Sequence, residues 1–110
     1  VRIDTEPQRN MNTSGALVIP GGAGTRTLIK EEPFLKNLRR LSEDASFVLS
    51  VCTGSALLAR CGALEEKRAT SNKRAFDWVV STSDKVHWIR KARWVHDGKF
   101  YTSSGMEQRP

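Results

Sequence analysis

Two short apolar runs stand out along an otherwise polar chain, Gly15-Ala16-Leu17-Val18-Ile19 and Ser46-Phe47-Val48-Leu49-Ser50-Val51. The first ends in Pro20-Gly21-Gly22-Ala23-Gly24 and the second turns at once into Cys52-Thr53-Gly54-Ser55. Uninterrupted runs of this length, bounded by turn residues, predict buried strands of a parallel sheet. Between them the period lengthens. Thr25 is placed to cap a short helical turn, and Pro33 to open a second helix carrying Phe34, Leu35, Leu38 and Leu41 at helical spacing. After the second run, Ala56, Leu57, Leu58, Ala59 and Arg60 are good helix formers, and Gly62 is a natural stop. Strand, glycine-rich turn, helix, strand, turn, helix is the rhythm of a parallel α/β sheet with right-handed connections.

The later part of the chain follows a different pattern. Residues 75–80 read as a short helix with Phe76, Val79 and Val80 as apolar contacts, and His87 alternates with Val86 and Trp88 as a strand residue does. Residues 92–95 and 99–102 flank His96-Asp97-Gly98, where Asp-Gly between apolar runs signals a hairpin. Ser103-Ser104-Gly105 forms a further small-residue turn. At the ends, Val1, Ile3 and Thr5 alternate as a short edge strand would, residues 7–14 are polar, and residues 106–110 show no period.

At 110 residues the chain is expected to be a single domain, and no apolar run approaches the roughly 18 residues of a membrane span. Cys52 and Cys61 are the only cysteines. Across a helix at about 1.5 Å per residue they would lie roughly 13 Å apart, too far for a disulfide. A reducing, cytoplasmic home is expected, and no secretory leader is visible ahead of Val1. Eighteen Lys and Arg against twelve Asp and Glu give a net charge of +6. The basic residues (Lys67-Arg68, Lys73-Arg74, Arg90-Lys91-Ala92-Arg93) are scattered among apolar positions, as on a solvated surface; nucleic acid is a minor alternative. His87 and His96 lack ligand spacing with either cysteine, so no metal site is expected. Trp78, Trp88 and Trp94 read as packing groups, and the Gly21–Gly24 loop lacks the remaining signals of a nucleotide loop, so no cofactor is expected.

Cys52 carries the candidate chemistry. It falls where a strand end meets a helix start, a position that favours a thiolate and lifts the side chain clear of the sheet. Gly54 leaves room for the turn and for a substrate. Gly21 and Gly22 end the neighbouring strand, where bare backbone amides can approach a reacting atom and serve as an oxyanion hole. Thr53 can hydrogen-bond a substrate or water, or simply cap the helix. The competing reading of Cys52 is a small buried residue, as most free cysteines are.

On these residues the chain resembles the ThiJ/PfpI family of class I glutamine-amidotransferase-like proteins. Leu17-Val18-Ile19-Pro20-Gly21-Gly22 is similar to the family's first signature, and Val51-Cys52-Thr53-Gly54-Ser55 with Gly62-Ala63-Leu64 to its elbow signature. Arg68-Ala69-Thr70, Arg93-Trp94-Val95, Asp97-Gly98 and Thr102-Ser103-Ser104-Gly105 follow in the family's order. Cys-Thr-Gly-Ser is similar to the isonitrile-hydratase branch and the sensor domains of some AraC-type regulators, and less similar to the branch with His directly after Cys, because Thr53 stands there. The resemblance implies a three-layer, doubly wound, mostly parallel sheet of flavodoxin-like type, here with a C-terminal β-hairpin. It also implies a core over 15–105 between a variable edge segment, 1–14, and an irregular tail, 106–110. As site residues it implies Cys52 and Thr53 as catalytic and Gly21, Gly22 and Gly54 around the substrate, with a small molecule as partner and often a homodimer. The family's acidic partner for the cysteine has no match here, Asn72 stands where some relatives carry histidine, and a helix expected after Gly105 does not follow. A chain truncated at both ends is the expectation. The functional reading is a cysteine-dependent enzyme acting on a small electrophilic carbon, by isonitrile hydration or glyoxalase-like chemistry. A redox or ligand sensor, a degenerate interaction module and an incomplete fragment are the alternatives.

Overall fold

The computed structural model describes residues 15–22 and 24–105. The edge strand expected in residues 1–6 and the tail at 106–110 lie outside them. Strand β1 (Ala16–Ile19) is followed by helices α1 (Thr25–Leu28) and α2 (Glu32–Asp44), strand β2 (Phe47–Val51) and helix α3 (Gly54–Arg60). Then come β3 (Arg68–Ala69), α4 (Phe76–Val80), β4 (His87–Trp88), β5 (Trp94–Asp97) and β6 (Phe100–Ser103). The main sheet runs β1-β2-β6-β5, and β3 and β4 form a small separate pair. Strand β2 is parallel to both β1 and β6, and β5 closes the edge antiparallel to β6. This is the expected mixed α/β architecture with a mostly parallel sheet and a terminal hairpin.

Register explains what holds the layers. Leu17 pairs with Val48 and Ile19 with Ser50, while Val48 and Ser50 pair with Phe100 and Thr102. Alternation places these side chains on one face. There Ile19, Val48 and Phe100 join Leu38 of α2 and Leu57 and Leu58 of α3 in the core. Helix α2 turns Leu35, Leu38 and Ser42 inward, with Pro33 in its first turn, where a missing N–H costs nothing. Helix α3 is buried from Gly54 to Ala59, and Gly62, at φ 92°, lets the chain turn away after it.

On the opposite face the expectation of a buried strand is only half met. Val18 is 49% exposed, Phe47 45% and Trp94 59%, beside half-buried Leu49 and Tyr101. Among the described residues no helix covers this face, so the second helical layer of a three-layer fold is not among them. Trp94 is therefore not the packing group its composition suggested. Trp88 is one: it meets Phe76 edge-on and donates its indole N–H to the Ser83 carbonyl at 3.2 Å. Trp78 lies under the Arg26 guanidinium, 4.2 Å from its ring centre.

The hairpin turn sits one residue later than Asp-Gly spacing predicts. His96 and Asp97 belong to β5, Asp97 pairs with Phe100, and Gly98 and Lys99 make the turn, with Gly98 at φ 63°. Asp97 is drawn into the strand by a partner distant in sequence. Its Oδ2 accepts the Arg68 backbone N–H at 2.8 Å, with the Arg68 guanidinium 3.6 Å away. That hydrogen bond, aided by nearby Arg68 and Lys67 charge, holds the carboxyl below its usual range. The basic clusters are also more engaged than a solvated surface implies. Lys73 Nζ donates to the carbonyls of Arg90 and Ala92 at 2.5 and 2.6 Å, and Arg90 pairs with Asp77.

Candidate functional site

Strand β2 ends at Val51 and α3 begins at Gly54, so Cys52 and Thr53 alone make the turn. Cys52 has φ 53°, in the left-handed region that disfavours a side chain by about 1–2 kcal/mol. Bonds from three segments hold it there. Its N–H donates to the Ser103 carbonyl at 3.0 Å, its own carbonyl accepts Ser71 Oγ at 2.9 Å, and Ser55 Oγ lies 3.4 Å from the same oxygen. The thiol donates to the Ser104 carbonyl at 3.6 Å. Gly105, at φ 84°, lies against the sulfur so closely that a Cβ there would collide with Sγ.

The loop after β1 packs directly on this turn. A Cβ on Gly21 would come within 2.6 Å of Thr53 N and Oγ1 and 2.9 Å of Cys52 Cβ. One on Gly54 would strike the Ile19 carbonyl. Both glycines are thus required by close approach of two backbones, and Gly21, Gly22, Cys52, Thr53 and Gly54 come together as the sequence predicts. Parallel pairing of β1 with β2 makes this so, because both loops leave the same end of the sheet.

Neither threonine caps a helix. Thr53 precedes α3 but makes no side-chain capping bond, and Thr25 is the first residue of α1 rather than its cap. Instead the two hydroxyls join the loops. Thr53 Oγ1 accepts the Gly22 N–H at 3.1 Å and lies 3.2 Å from Thr25 Oγ1, which is 2.8 Å from the Gly22 carbonyl. The Gly22 amide, expected to face a reacting atom, is engaged by Thr53 here. Thr25, Ser71 and Ser104 were not legible as site residues, because each reaches the turn from a distant segment.

The remaining candidates lie elsewhere. Cys61 follows α3, donates its thiol to the Leu58 carbonyl at 3.3 Å, and is pushed above the ordinary thiol range by burial. Both cysteines are free. Asn72 Oδ1 accepts the Arg74 N–H at 2.8 Å, a local turn contact. Exposed His96 stacks on Tyr101 with ring centres 4.2 Å apart, and His87 faces Glu66 at 3.8 Å. Among the described residues no group of three His, Cys, Asp or Glu could hold a metal ion, and no carboxylate hydrogen-bonds Cys52.

Sequence comparison matches residues 2–110 to the DJ-1/PfpI family. The chain belongs to that family. Isonitrile hydratase of Pseudomonas putida is 37% identical over 90 residues, covering 82% of this chain and 38% of that protein. Deglycase TK1284 of Thermococcus kodakarensis is 31% identical over 88 residues, 80% of this chain and 51% of that protein. The chain thus spans about two-fifths to half the length of these relatives. A solved structure of a ThiJ/PfpI family protein from Pseudomonas syringae superposes with a TM-score of 0.69 at 29% identity, over 82% of this chain and 36% of that one. For this DJ-1/PfpI chain, the motifs read from sequence all fall within the matched span.

Proposed function

We propose that Cys52 is the nucleophile of a site that adds water to a small electrophilic carbon, with isonitrile hydration as the reaction. The observation that carries this reading is the left-handed φ of 53° at a strand-to-helix turn whose neighbour is the Gly21-Gly22 loop. Strain held by several partners at one half-buried position at the end of a strand suits a functional residue better than a core one. Identity of 37% with a protein named isonitrile hydratase supports the substrate class.

In this reading the thiolate attacks the terminal isonitrile carbon. A C–S bond forms, and that carbon takes a proton from water, giving a thioimidate. The hydroxide left by that transfer adds to the same carbon, its proton passes to nitrogen, and the C–S bond breaks to return the thiolate. The sum is isonitrile plus water giving an N-substituted formamide. The backbone amide of Gly21 would hold developing charge and Thr53 would place water, with the Gly22 amide engaged by Thr53 Oγ1 and Gly54 leaving space. A second reading, glyoxalase- or deglycase-type attack on a carbonyl, is favoured by the 31% identity with the Thermococcus protein. The reading includes a homodimer in a reducing, cytoplasmic setting and no bound cofactor.

Incubation with tert-butyl isonitrile and, separately, methylglyoxal, beside Cys52→Ser, tests it. Formamide or lactate should appear only with the parent protein. Equal product from both proteins rules out the cysteine.

A further inference from the structure

We infer that Thr25 is a positioning residue for Thr53, fixing the direction of its hydroxyl proton; the inference rests on the reading of Thr53 as part of the Cys52 site. Counting protons gives the argument. Thr25 Oγ1 lies 2.8 Å from the Gly22 carbonyl, which can only accept, so the single hydroxyl proton of Thr25 is spent there. The 3.2 Å contact between the two hydroxyls must then use the proton of Thr53. Thr53 Oγ1 in turn accepts the Gly22 N–H at 3.1 Å.

The result is a closed ring. Gly22 N–H donates to Thr53, Thr53 donates to Thr25, and Thr25 donates back to the Gly22 carbonyl, which also takes the Thr25 backbone N–H at 3.1 Å. Thr25 is 1% exposed, so no water competes for its hydroxyl. With its proton committed, Thr53 has only a lone pair left to offer. It therefore accepts from a water or substrate N–H beside Cys52 rather than donating to a developing anion. That assigns Thr53 to orienting the attacking water, and Thr25 to keeping it in that role.

Thr25→Val removes the hydroxyl at nearly constant shape, and Thr25→Ser keeps it. Amide hydrogen exchange of Gly22, read by NMR on the full chain, needs no substrate. Exchange should quicken roughly five- to tenfold in Thr25→Val, the fold-change of one lost net hydrogen bond, and stay near the parent rate in Thr25→Ser. With tert-butyl isonitrile, Thr25→Val should lower kcat with KM unchanged, and Thr25→Ser should restore it. Parent-like Gly22 exchange in Thr25→Val, or equal acceleration in Thr25→Ser, overturns the ring. If Thr25→Val does not fold, Thr53→Val opens the same ring from the other side, and unchanged Gly22 exchange there overturns it equally. Should the parent protein not turn over the isonitrile, the functional reading fails, while the exchange rates alone still decide the role of Thr25.

Discussion

Replacing Cys52 by alanine and, separately, by glycine isolates the cost of its backbone conformation. Both variants remove the sulfur, so its contact with Ser104 cancels from the comparison. What differs is the Cβ at φ 53°. An L-residue held in the left-handed region costs about 1–2 kcal/mol, which glycine escapes. Against this, glycine's greater freedom in the unfolded chain costs about 0.5–1 kcal/mol. The difference leaves Cys52→Gly more stable than Cys52→Ala by about 0–1.5 kcal/mol, with a midpoint of about 0.75 kcal/mol, or about 3–6 °C in Tm for a domain of this size. Urea unfolding followed by circular dichroism measures it from the shift in midpoint at constant m. Lys36, exposed in the middle of α2, supplies the control, because there glycine should fall below alanine by about 1 kcal/mol. The opposite sign at the two positions is the signature. If glycine is the weaker residue at position 52 as well, the turn is unstrained, and the chief support for a nucleophile there is gone.

Gly21→Ala pushes a methyl group into Thr53 N and Oγ1 and into Cys52 Cβ, so stability should fall by about 1–3 kcal/mol, measured by urea unfolding; a neutral effect would mean the two loops are not in contact. Ser71→Ala takes the 2.9 Å donor of a buried side chain from the Cys52 carbonyl, which should cost about 1–2 kcal/mol and also alter the alkylation rate of Cys52 by iodoacetamide. Asp97 has its folded carboxyl held below the unfolded value, so its stabilising contribution is present above the unfolded pKa and is lost as pH falls through the folded one. Asp97→Asn should therefore weaken the protein at neutral pH and converge with the parent in acid; a gap between their urea midpoints that does not change with pH would contradict this.

Local signals carried most of what the sequence revealed. The apolar runs of β1 and β2, the proline start of α2 and the glycine exit from α3 depend on neighbours within a few residues, and pattern alone shows them. The meeting of the Gly21-Gly22 loop with Cys52 was legible because parallel strands must send their loops to the same edge. Hidden were contacts that leap along the chain. Thr25 and Thr53 each look like a helix cap in sequence, and only folding, which brings positions 28 apart together, reveals their shared bond. Asp97 reads as a turn residue until Arg68, 29 positions earlier, claims its carboxylate. Exposure of Val18 and Trp94 was equally invisible, since strand periodicity says which side chains share a face and nothing of what lies over it.

The position of β6 has a consequence for how the protein comes together. It is the last strand of the described chain, yet it lies inside the sheet, between β2 and β5. Until it inserts, β2 has an open flank and the Cys52 turn lacks both the Ser103 carbonyl that anchors its amide and the Ser104 carbonyl that meets its sulfur. Assembly of the Cys52 corner thus waits on a pairing between segments some fifty residues apart, a slow, loop-closing event on general grounds. During synthesis the cysteine leaves the ribosome well before its surroundings exist, and its turn is complete only when the closing hairpin arrives.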